Sequence, residues 1–138
     1  MPNTQAIGVA FADPEFTTCY VSQEFGYTTA AQTAVTQATS KSTGVTANTS
    51  AGRITMNNAS LGNNSTVVFR MNNSTIKNND VLTLNISGGV AGVGDYLAYV
   101  ADIGAGYADI ALANRKGGGG SLSEAVKITF TLIGNRDD

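Results

Sequence analysis

The sequence predicts an all-β chain: an antiparallel, jelly-roll-like β-sandwich carried behind an extended N-terminal arm. Three observations lead there. Apolar residues alternate with polar ones in successive short segments, a period of two that gives a strand one apolar face. The joints between these segments are rich in Asn, Gly, Ser and Asp, residues that suit tight turns. No stretch shows the apolar spacing of a helix of three turns.

The segments follow in order. "GRITMNN" is a short strand with Ile54 and Met56 inward. In "STVVFRMN", Val67, Phe69 and Met71 alternate with Val68, Arg70 and Asn72. In "DVLTLNIS", Leu82, Leu84 and Ile86 face away from Thr83 and Asn85. "GDYLAYVADI" is expected to place Leu97, Tyr99 and Ile103 on one face. "GYADIALANR" sets Ala108, Ile110 and Leu112 against Tyr107 and Asp109. The clearest segment is "EAVKITFTLIG", where Val126, Ile128, Phe130 and Leu132 alternate with Lys127, Thr129 and Thr131. Strands recurring every ~8–12 residues between such turns define an antiparallel sandwich or barrel.

The N-terminal third is different. Residues 28–52 are mostly Thr, Ala, Ser and Gln and read as an extended arm or as strands pairing outside the main core. Upstream, Ile7, Val9, Phe11 and Phe16 form a short apolar set that suits a docking arm ordering on a partner; the plainer reading is a first strand of the sandwich. Residues 1–30 are therefore taken as arm or first strand, and residues 31–138 as the sandwich domain.

Composition narrows the function classes. The 138 residues suffice for one core-forming domain. Only 13% are charged, about half the usual share, so the surface is built from Thr, Ser, Asn and Gly. The net charge is −2, and the eight cations are scattered apart from Arg115-Lys116. That argues against nucleic acid as a partner, because nucleic-acid binders carry a basic patch. No run approaches the ~18 apolar residues of a membrane span, and "MPNTQAIGVAFADPEF" lacks the pattern of a secretory leader. The expectation is a protein made in the cytoplasm, with no membrane partner. The N-x-[ST] triplets at Asn58, Asn64 and Asn73 then read as turn chemistry.

Catalysis finds little support. The sequence has no histidine, which removes the commonest general base and metal ligand. In "ANRKGGGGSLSE" the cations precede the four glycines and no Lys follows them, so the phosphate-binding pattern is unmet. The run is expected to be a hairpin tip between a strand ending near Asn114 and one beginning near Ser123. Ser121-Leu122-Ser123-Glu124 matches a helix capping box, but the alternation after it favours a strand. Asp95, Asp102 and Asp109 are seven residues apart and read as solvated turn or edge acids, with a calcium site between subunits as the rival. Cys19, a lone cysteine, reads as a small buried hydrophobe. Tyr96, Tyr99 and Tyr107 read as strand packing, with a sugar-stacking platform as the rival. No catalytic residue, cofactor or metal site is assigned.

Four pieces carry a resemblance: "AVTQATSKSTGVTAN" (residues 34–48), "GRITMNNASL" (52–61), "VVFRMNNSTIKNNDVLTLN" (67–85) and "ANRKGGGGSLSEAVKITFTLIG" (113–134). Together they resemble a domain recurring in virion proteins of tailed phages, notably of cyanophages. The glycine run is longer than that pattern expects, and the first thirty residues lie outside it. The resemblance implies a non-enzymatic β-sandwich subunit of the particle. The leading expectation is a capsid decoration (cement) protein on the outer capsid surface, a homotrimer that binds the major capsid protein. Ile7, Val9, Phe11 and Phe16 are its expected contact residues. A tail, collar or fibre component is the alternative, and a carbohydrate-binding module is a third reading.

Overall fold

A computed structural model describes residues 16–135. Eight strands form two four-stranded sheets that pack face to face as a β-sandwich. They are β1 (Gln32–Thr36), β2 (Val45–Thr46), β3 (Ala51–Thr55), β4 (Thr66–Asn72), β5 (Val81–Gly88), β6 (Tyr96–Gly104), β7 (Tyr107–Asn114) and β8 (Lys127–Ile133). One sheet has the order β1-β3-β8-β5 and the other β2-β4-β7-β6. A single 3-10 turn, Thr29–Ala31, precedes β1. From β1 to β6 the chain alternates between the sheets, β6 and β7 form a hairpin within one sheet, and the chain then crosses back to β8, which lies between β3 and β5 as β7 lies between β4 and β6.

The core follows the alternation read from the sequence in most strands. Ile54, Met56, Phe69, Met71, Ile110, Leu112, Ile128 and Phe130 are all fully enclosed between the sheets. Burying each such side chain contributes about 1.5–3 kcal/mol, so the interior of β3, β4, β7 and β8 is where stability concentrates.

Four expectations are corrected. The sheets are not purely antiparallel: β1 pairs parallel with β3, and β2 pairs parallel with β4. The Thr/Ala-rich tract is therefore not a free arm from Gln32 onward but supplies an edge strand to each sheet, with Val45 and Ala47 in the core.

The facing of β6 is also reversed. Leu97 and Tyr99 point outward, while Tyr96, Ala98, Val100 and Ile103 turn to the core. The register against β7 shifts between Val100 and Asp102. That bulge at Ala101 breaks the period of two and brings Ile103 onto the inner face.

The glycine run is no hairpin tip. It joins β7 in one sheet to β8 in the other, and β8 starts at Lys127 rather than near Ser123. Gly118, Gly119 and Gly120 all have positive φ, a conformation that glycine adopts without a Cβ penalty. The Asn114 side chain ties the loop down: its Nδ2 donates to the carbonyls of Leu61, Gly62 and Gly120 at 2.9–3.0 Å, and its Oδ1 accepts from Lys116 N.

As the alternation after them led one to expect, the capping-box residues start no helix. Leu122 instead forms an isolated bridge with Leu61. Finally, Cys19 is exposed rather than buried.

The asparagine turns behave as expected from their chemistry. Asn64 adopts a left-handed backbone with φ 54°. Asn73 Oδ1 accepts from Thr75 N, and Asn57 Oδ1 accepts from Ala59 N, each closing a turn two residues ahead.

Candidate interaction surface

The outward face of β4, β7 and β6 is set out by their antiparallel registers. Its first cross-strand row is Thr66, Ala113 and Leu97; the second is Val68, Ala111 and Tyr99. The third row is Arg70, Asp109 and Asp102, and the fourth is Asn72, Tyr107 and Gly104. One half of the face is thus apolar and the other charged.

In the apolar half, Val68 and Leu97 are each 48% exposed and Tyr99 43%. Ala111 and Ala113 lie between them with no accessible surface. The larger neighbours flank the small side chains, leaving a low ridge, aliphatic and aromatic, across the sheet.

The charged half is internally satisfied. Arg70 Nε and Nη2 donate to Asp109 Oδ1 and Oδ2 at 2.7 and 2.8 Å, a two-pronged pair. The guanidinium carbon lies 4.0 Å from the centre of the Tyr107 ring, within cation–π range. Tyr107 Oη donates to Asp102 Oδ2 at 3.2 Å. The hydrogen bond from Arg70 holds the Asp109 carboxyl below its ordinary range, and the bond to Asp102 pushes the Tyr107 hydroxyl up. Gly104 makes room for this arrangement, because a Cβ there would stand 2.7 Å from Tyr107 ring atoms.

The sequence-derived candidates scatter. Phe16 is 59% exposed, whereas Ile7, Val9 and Phe11 lie outside the described residues. Of the three tyrosines, Tyr96 turns inward and donates through Oη to Glu124 Oε2 at 2.6 Å. Burial and that bond raise its pKa. Only Tyr99 and Tyr107 share the outward face, so the three do not make one platform. Asp109 is neither a turn nor an edge acid: it sits on a central strand, paired with Arg70. Among the described residues no three His, Cys, Asp or Glu side chains are grouped to hold a metal ion. Among them, too, no helix is long and apolar enough to cross a membrane.

Sequence reasoning missed a buried polar clasp. Lys41, 3% exposed, donates through Nζ to the carbonyls of Asn57 at 2.5 Å and Glu124 at 2.6 Å. Gln37 Nε2 donates to the carbonyls of Lys41 and Thr43, and its Oε1 accepts from Asn57 N. Burial lowers the Lys41 pKa, opposed by the nearby Glu124 charge. The phrases "TQATSKSTGVT" and "SLSEAV" thus meet in space through Lys41 and Glu124. Nothing in the polar composition of "TSKSTG" distinguishes a buried lysine from a solvated one.

Comparison of the chain with protein-family models, curated proteins and solved structures finds no match.

Proposed function

We propose that the protein is a non-enzymatic subunit of a phage particle, a capsid cement protein that packs against the major capsid protein on the outer shell. The single observation that carries the reading is the outward face of β4-β7-β6. It presents Val68, Leu97 and Tyr99 to solvent around buried alanines, beside side chains already paired with each other. Arg70 offsets the charge of Asp109, and Asp102 accepts a hydrogen bond from Tyr107, so each of these groups already has a partner and one net negative charge is left for a neighbour to meet. A low apolar ridge beside a satisfied polar set is the composition of an interface core with its rim. Exposed aromatic residues upstream of β1, including Phe16, Tyr20 and Phe25, add a second element able to reach a neighbour. A trimer around each attachment point is the arrangement proposed.

The mechanism is linkage: a subunit that binds only the assembled shell stabilises it by mass action. Imaging of the intact particle tests this. Density for hundreds of copies spread over the shell is the expected result, and a dozen or fewer at the tail or collar rejects it. A chain lacking residues 1–30 is expected to keep the sandwich and attach more weakly. Undiminished attachment would assign the contact to the sheet face alone.

A further inference from the structure

The outer face of the other sheet carries a feature of a different kind. A groove of about 670 Å³ runs between the segment before β1 and the strands β1, β3 and β8. Its floor includes Ala34, Arg53, Thr129 and Thr131; Phe25 and Tyr27 form one wall. The volume falls within the range of small-ligand sites, about 300–1,000 Å³.

The wall is fixed in place at Tyr27. Tyr27 Oη donates to the carbonyl of Leu132, and Gln32 Nε2 donates to the carbonyl of Tyr27 at 2.9 Å. The Tyr27 ring is therefore held beside the sheet, and Phe25, two residues before it, is 88% exposed. Contact with water at so large an apolar surface is unfavourable.

The floor supplies the complementary chemistry. The Arg53 side chain makes no hydrogen bond or ion pair with any described residue, unlike Arg70. Its neighbour on β8 is Thr129, whose Oγ1 bonds Ser87 Oγ at 2.8 Å; two residues further along β8, the Thr131 hydroxyl has no partner among the described residues. One free guanidinium, a free hydroxyl and two aromatic faces within one groove define a specific ligand class. A guanidinium takes a carboxylate through two parallel bonds. Aromatic faces take the C–H side of a pyranose ring, and hydroxyls take its ring substituents. An extended acidic peptide would use Arg53 but leave the flat faces of Phe25 and Tyr27 without a planar partner.

We propose that this groove binds a carboxylated sugar, with Arg53 holding the carboxylate and Phe25 and Tyr27 stacking on the ring. The site lies on the opposite sheet from the β4-β7-β6 face and does not rest on the virion reading.

The test is a titration of the 15N-labelled chain with tetragalacturonate and with tetramannuronate. Fully methyl-esterified tetragalacturonate and a tetraglutamate peptide serve as controls. The expected result is saturable shifts at the Gln32, Arg53 and Thr131 amides with at least one uronate, and none with the ester. Arg53→Gln and Phe25→Ala are each expected to weaken that binding by about tenfold or more. Both positions are exposed, so a native spectrum should persist in each variant. No shift with either uronate at millimolar concentration overturns the proposal. So does equal binding of the ester, binding unchanged in Arg53→Gln, or tighter binding of the peptide than of either sugar.

Discussion

The two outer faces of the sandwich are built from similar strands and differ in what they leave open. On β1-β3-β8-β5 the outward positions include Thr55, Thr83, Asn85, Ser87, Thr129 and Thr131, joined by local bonds such as Thr83 Oγ1 to the Thr131 carbonyl. Its Arg53 has no partner among the described residues. On β4-β7-β6 the outward centre is alanine flanked by Val68, Leu97 and Tyr99, and its Arg70 is fully engaged. Apart from the exposed Val81–Ile133 pair at one end of β5 and β8, the β1-β3-β8-β5 face is polar, and its Arg53, unpaired among the described residues, suits a polar ligand. The other has an apolar centre and charged side chains already paired or hydrogen-bonded to one another, which suits another protein.

The largest expected effect tests whether the alanines belong to a packed layer. Ala111→Gln forces a polar, longer side chain between Val68 and Tyr99 and is expected to cost about 2–3 kcal/mol in chemical denaturation. The matched change Thr131→Gln on the other face is expected to stay within about 0.5 kcal/mol. Equal costs would erase the distinction between the faces.

The next effect concerns association rather than folding. Leu97→Asp combined with Tyr99→Ser is expected to weaken self-association or particle attachment by about tenfold or more, with the unfolding midpoint nearly unchanged. Sedimentation or a particle-binding assay reads it. The same pair of polar residues at Thr83 and Asn85 is expected to have no such effect.

The pH dependence follows from which groups are paired. Asp109 is held below its ordinary carboxyl value of 3.8 by Arg70. It therefore contributes stability above that value, and the contribution fades as pH falls through the lower folded value. Asp109→Asn should be slightly less stable than the parent near neutrality, and the gap should close on acidification. Tyr96 has the opposite sign. Its folded pKa is raised above the ordinary 10.0, so its contribution is complete below that value and declines as pH rises beyond it. Tyr96→Phe should flatten the alkaline limb of a stability profile while leaving the acid limb governed by the remaining carboxylates.

Much of this was legible in the sequence where one rule acts alone. The strands β4, β5 and β8 obey a strict period of two because each has one face in the core, and their inward residues were readable directly. β6 was not, because a single bulge at Ala101 shifts the phase, and Leu97 and Tyr99 are as apolar as the residues that actually turn inward. The crossing from β7 to β8 was hidden for another reason: a glycine-rich turn has the same composition whether it closes a hairpin or changes sheets. The parallel edges escaped because Thr and Ala carry no strong facing preference. Of the surface, the Arg70–Asp109 pair needed the β4–β7 register to be seen, since the residues are far apart in the chain. The buried Lys41 needed the carbonyls of Asn57 and Glu124 to converge on it.

The parallel pairings of β1 and β2 have a consequence for how the molecule opens. Both are outermost strands, one on each sheet, and they are joined through the Gln37–Lys41 clasp. Peeling them away breaks no central pairing, since β3-β8-β5 and β4-β7-β6 remain intact. Among the strands, the opening that spares both central sheets is a release of residues 32–46 as one unit, which also gives up the Lys41 bonds to the Asn57 and Glu124 carbonyls. Amide hydrogen exchange is expected to be fast and concerted along that stretch and slowest in β7 and β8. The outer faces of β3-β8-β5 and β4-β7-β6 would meanwhile keep their shape, so the edges of the sandwich can open without disturbing either surface.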